Sequence, residues 1–115
     1  MPSNSSVLIV LTTVASQAEA RELCRILVEA RLVACAQISA IESVYRWEGA
    51  VQQEPEWRVL LKTVPERYAA LETAIRKHHP YELPAIVALP CSQALPEFAG
   101  WVAAESQGTS AATGS

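Results

Sequence analysis

LVACAQISAIESVYRWEGAVQQEPEWRVLLKT, residues 32–63, is the stretch whose reading decides the fold. Gly49 divides it into two runs rich in Val, Ile, Tyr and Trp, residues that fit a pleated surface, and a glycine there supplies the positive φ of a chain reversal. The reading predicts two antiparallel strands, over residues 32–47 and 51–63. Pro55 marks an irregularity or a sheet edge on the second arm, because it has no N–H to donate to a ladder. Arms of about 14 residues reach ~46 Å at ~3.3 Å each, whereas ordinary strands stop at about five or six residues.

Working outward, residues 7–11 (Val-Leu-Ile-Val-Leu) form an apolar, β-branched run of the kind that lies covered in the middle of a sheet. Ser16 and Glu19 have capping-box spacing, and Leu23, Ile26, Leu27 and Ala30 then fall on one helical face. On the other side of the hairpin, Thr63 and Glu66 repeat that spacing and Pro65 suits a first helical turn. Tyr68, Leu71 and Ile75 line this second helix, and Pro80 stops it. Residues 85–89 read as a fourth strand between Pro84 and Pro90. A last short helix carries Leu95, Phe98 and Trp101 as its packing stripe.

The order strand, helix, strand, strand, helix, strand, with a trailing helix, is the split β-α-β arrangement of an α+β, ferredoxin-like fold. Its helices cover one face of the sheet and leave the other in need of cover. Helices of about 14 residues span only ~21 Å, so half of the ribbon projects past them. The projecting part carries Tyr45, Trp47 and Trp57, and a lone chain would leave these rings and a long sheet edge wet. The expectation is a closed ring of copies with Trp47 and Trp57 at the interface. The competing expectation is a ribbon that breaks near Pro55 and folds back on its own sheet.

Composition narrows the function classes. The chain of 115 residues has room for one domain with a real core, assigned to residues 6–105, with small polar ends at 1–5 and 106–115 expected to fray. All 12 acidic residues are Glu, which removes Asp-based triads and calcium loops, and four glycines cannot build a phosphate cradle. A net charge of −3 argues against nucleic acid as the partner. No run is long enough to cross a membrane. Three cysteines without a CxxC pair fit reduced thiols, and the apolar run 7–14 lacks the basic flank of a secretory signal, so the expected location is the cytoplasm. No nucleophile, base and orienter stand in a recognisable spacing, so an enzyme is not expected.

Three stretches then carry a resemblance: Arg31-Leu32-Val33-Ala34-Cys35-Ala36, Tyr45-Arg46-Trp47-Glu48-Gly49 and His79-Pro80-Tyr81-Glu82-Leu83-Pro84. In this order they are similar to the CutA family of divalent-cation tolerance proteins, over about residues 6–104. The chain departs from relatives at Leu89-Pro90-Cys91-Ser92-Gln93-Ala94, which puts the local turn in doubt. The resemblance implies a ferredoxin-like homotrimer with PII-like architecture that binds copper or other divalent ions. It implies no established reaction.

Candidate residues follow. Cys35 offers a thiolate to a soft ion such as Cu(I), against the alternative of a small buried hydrophobe, and Cys24 belongs to the helix core. His79 precedes Pro80, which pushes it out of helical geometry, so its ring could join Glu82 on an ion or serve only as a helix cap. Tyr45, Glu48, Lys62 and Tyr81 are expected around an inter-subunit cleft. Two functions compete: direct metal binding in copper tolerance, and a PII-like sensor whose cleft takes a small molecule or a protein partner.

Overall fold

The computed structural model describes residues 6–107. Its elements are β1 (Leu8–Val14), α1 (Gln17–Glu29), β2 (Cys35–Trp47), β3 (Ala50–Thr63), a 3-10 turn (Pro65–Arg67), α2 (Tyr68–His78), β4 (Ile86–Pro90) and α3 (Pro96–Glu105). The four strands form one antiparallel sheet in the order β2-β3-β1-β4, the split β-α-β topology. The predicted fold class is the observed one.

Alternation along β1 explains the layers. Leu8, Val10, Thr12 and Val14 are buried under the helices, beside Val59 and Leu61 of β3. Leu23, Cys24 and Leu27 of α1 and Leu71 and Ile75 of α2 complete this core. The intervening residues Ile9, Leu11 and Leu60 point to the opposite face with Val87 and Leu89, which are 53% and 52% exposed. Neither α1 nor α2 covers that face. A smaller core closes one end of the sheet, where Val7, Ala34 and Val64 meet Ala99 and Val102 of α3.

The hairpin runs unbroken. Pairing continues from Cys35↔Lys62 to Trp47↔Ala50, and β1 ends opposite Trp57, so seven rungs project beyond it. The molecule's long axis is 46 Å. Pro55 lies past the last β1 pairing, where no strand flanks β3 on that side, so its missing donor breaks no ladder between β1 and β3. The ribbon therefore does not fold back. Glu48 (φ 52) and Gly49 (φ 80) form the two-residue reversal, the positive-φ pair that matches strand twist.

Five local expectations need correction. β2 begins at Cys35 rather than residue 32, because α1 ends in a Schellman turn: Leu32 N–H donates to Leu27 O and Arg31 N–H to Val28 O. That turn puts Arg31 at φ 59, and its guanidinium bonds Ala104 O and Glu105 across to α3. Thr63 does not cap α2; it is the last residue of β3, and its hydroxyl donates to Leu32 O at 2.7 Å. On α3 the packed residues are Ala99 and Val102, while Leu95, Phe98 and Trp101 are 66%, 37% and 44% exposed. Small side chains let the helix sit close to its own sheet and turn the large ones outward. Trp57, expected on the projecting part of the ribbon, instead pairs with Val14, the last residue of β1, and packs half-buried against the core on the helix-covered face. Ser106, assigned to the frayed tail, is buried behind α3; residues 1–5 and 108–115, where fraying is otherwise expected, lie outside the described residues.

Candidate functional site

Past the end of β1 the ribbon and the turn after α2 enclose a cleft of about 830 Å³. The two-residue reversal fixes the register: Trp47 pairs with Ala50, Tyr45 with Gln52, Ser43 with Glu54 and Ile41 with Glu56. All eight share one face of the ribbon. Tyr45, Trp47, Glu54 and Glu56 thus line one wall. Pro80, Tyr81, Glu82 and Leu83 form the other.

His79 holds that second wall in place. The following proline keeps it extended (φ −86, ψ 134) as the helix ends, and the side chain turns inward to 9% exposure. Its Nδ1 accepts from the Tyr81 N–H at 3.1 Å, so Nε2 carries the proton and donates to Thr13 O at 2.7 Å. That carbonyl lies one residue past the last β1–β4 pair, and the imidazole takes over where β4 stops. Burial pushes the His79 pKa down, against the opposing pull of the Thr13 carbonyl and the charges of Glu19 and Glu56. Both ring nitrogens are occupied, so the neutral ring is a structural bracket and not a ready metal ligand.

The Tyr81 ring lies tilted by 59° against His79, with centres 4.9 Å apart, and its hydroxyl donates to Glu56 Oε2 at 2.6 Å. Its phenol pKa is raised, first by burial and then by that bond to Glu56. On the ribbon Tyr45 donates to Glu54 Oε1 at 3.0 Å. Two phenol–carboxylate pairs therefore order the cleft, one across its walls and one within the ribbon. Both bonds fix side chains that would otherwise rotate.

The sequence-derived candidates divide accordingly. Tyr45, Tyr81, Trp47 and Glu82 meet in the cleft. Glu48 sits at the hairpin apex and Lys62 at the other end of β3, where its ammonium donates to Gln37 and lies 5.8 Å from the Phe98 ring centre. Cys35 is level with Ile9, whereas His79 bonds Thr13; four residues of strand, ~13 Å, and two strand spacings separate them. Within one chain Cys35, His79 and Glu82 do not form a site. Among the described residues no group of three His, Cys, Asp or Glu could hold a metal ion. Cys24 is buried in the helix core, and desolvation pushes its pKa up to about 11. Glu54 and Glu56 were not singled out from the sequence, although counting rungs back from Gly49 puts both on the face of Tyr45 and Trp47. Among the described residues no helix is long and apolar enough to cross a membrane.

A ferredoxin-like module with an overlong central hairpin, one bare sheet face and a cleft at the hairpin base is the class these features define. The family model described as "CutA1 divalent ion tolerance protein" matches residues 8–105, and the chain belongs to that family. The divalent-cation tolerance protein CutA of Thermus thermophilus is 39% identical over 95 residues, covering 82% of this chain and 92% of that protein. Its Escherichia coli counterpart is 34% identical over 101 residues, covering 87% and 90%. Among solved structures, the periplasmic divalent cation tolerance protein CutA of Archaeoglobus fulgidus superposes with a TM-score of 0.86 at 30% identity, covering 88% of this chain and 99% of that one. CutA of Synechococcus elongatus gives 0.85 at 35%, covering 88% and 90%. The family is named for tolerance of divalent ions and not for a reaction.

Proposed function

We propose that the protein serves divalent-cation tolerance as a cytoplasmic homotrimer that binds the ion directly, copper foremost. The observation that carries this reading is the bare sheet face, where Ile9, Leu11, Leu60, Val87 and Leu89 lie beside the half-buried thiol of Cys35. Apolar surface of this extent, continued by Leu95, Phe98 and Trp101, favours cover by further copies of the chain. Three copies bring three thiols to one assembly, and a thiolate suits Cu(I). A set shared between copies accords with the lack of a metal group within the described residues of one. The three free cysteines favour a reducing compartment.

Light scattering on purified protein is expected to give three times the 12.5 kDa chain mass. Calorimetric titration with Cu(I) is expected to show saturable heat that Cys35→Ala removes. A 12.5 kDa particle would remove the trimer, unchanged copper binding in the variant would remove Cys35, and recovery of the chain from the periplasm would remove the compartment.

The ordered cleft favours a second reading, a PII-like sensor in which metal tolerance is indirect. A small-molecule ligand that binds only the folded form raises the melting temperature by mass action. A melt that responds to metals alone would eliminate this reading.

A further inference from the structure

We propose that the cleft at the hairpin base binds a small organic cation, an amine or quaternary ammonium ion with an apolar or aromatic body. The inference builds on the sensor reading above and names its ligand class. Three carboxylates line the cleft, from Glu54, Glu56 and Glu82, and no Lys, Arg or His is among the described residues lining it. The local field therefore selects positive charge.

Size and wall chemistry select the kind of cation. The carboxylates do not converge as a metal set, and a bare ion would leave most of about 830 Å³ unfilled, a volume in the range of pockets that take small organic molecules. Tyr45, Trp47 and Tyr81 supply ring faces, which attract ammonium groups through their quadrupoles. Leu83 and Ala85 supply apolar wall for a body that a metal ion lacks.

The phenol hydroxyls complete the argument. By donating to one oxygen each of Glu54 and Glu56, they hold rings and carboxylates in a fixed mutual orientation before any ligand arrives. The second oxygen of each carboxylate has no hydrogen-bond partner among the described residues and can accept from an ammonium N–H.

The test is calorimetric titration of the purified full-length protein with phenethylammonium and benzyltrimethylammonium, beside phenylacetate and 2-phenylethanol as anionic and neutral counterparts. Both cations are expected to bind saturably, and both counterparts at least about tenfold more weakly. Glu54→Gln and Trp47→Ala, changes at exposed positions, are each expected to weaken the cations by about three- to tenfold, with Glu97→Gln on α3 as an inert control. Phenylacetate or phenylethanol binding as well as the cations would overturn the ligand class and leave the sensor reading standing. No heat from either cation would overturn the ligand class, whereas the sensor reading falls only with a melt that responds to metals alone. Heat from Zn(II) that is lost in Glu54→Gln, with none from the ammonium ions, would replace the inference with a metal site.

Discussion

His79 makes its two hydrogen bonds only as a neutral ring: protonation of Nδ1 turns the acceptor for Tyr81 N–H into a second donor. Its pKa is lowered in the folded state, chiefly by burial, from an ordinary value near 6.5. As pH falls through 6.5 the unfolded chain takes up a proton that the folded chain declines, so this contribution to stability is complete above about 6.5 and fades below it. Denaturant melts between about pH 7.5 and 5.5 are therefore expected to show falling stability in the wild type and a shallower fall in His79→Gln. Equal slopes in the two proteins would refute the bracket role. Pro80 made the non-helical backbone of His79 legible in the sequence, because the residue before a proline avoids helical geometry. The ring's partners were not legible, since Thr13 is 66 residues away and its carbonyl is open only because β4 stops short. Arg31 is a similar case. Glycine usually marks a Schellman turn, and an arginine in its place hides the end of α1 from a reading of residue types.

At the scale of elements, the hairpin tip separates backbone strain from packing. A Cβ on Gly49 would meet nothing within 4 Å, so Gly49→Ala isolates the penalty of φ +80 for an L residue. That variant is expected to lose about 1–2 kcal/mol, while Glu48→Asn, which suits the left-handed region better than Glu, is expected to gain a few tenths to about 1 kcal/mol. Chemical denaturation of both variants checks the pair, and a neutral Gly49→Ala would mean that the tip relaxes into another turn. Strand positions and the reversal were readable because period-two patterning and one glycine carry that information locally. α3 was misread. Leu95, Phe98 and Trp101 look like a core stripe by size, yet Ala99 and Val102 face the core because close approach to Val7, Ala34 and Val64 needs small side chains. Residue type predicts what wants cover and leaves open which surface provides it.

For the whole molecule, strand length was the most informative quantity. The hairpin outruns its own β1 by seven rungs, and the bare face of the sheet follows from two helices serving one side. If copies supply the missing cover, unfolding is coupled to dissociation and the melting temperature rises with protein concentration. Thermal melts over a hundredfold dilution series check this, and a constant midpoint would contradict it. The cleft was only half legible. Its aromatic members stand out by type, whereas Glu54 and Glu56 enter through register, and within one chain Lys62 lies away from it, at the far end of the same strand.

The seven outer rungs carry a kinetic consequence. A ladder two strands wide, with none of the described helices beneath it, is marginal in water, while the four-stranded end has its helix-covered core within one chain. A newly made chain can therefore finish its compact end while the ribbon is still unzipping and rezipping. If the proposed trimer forms, the ribbon becomes the clock of the molecule: its amides then stop exchanging with solvent only when a neighbour arrives to hold them.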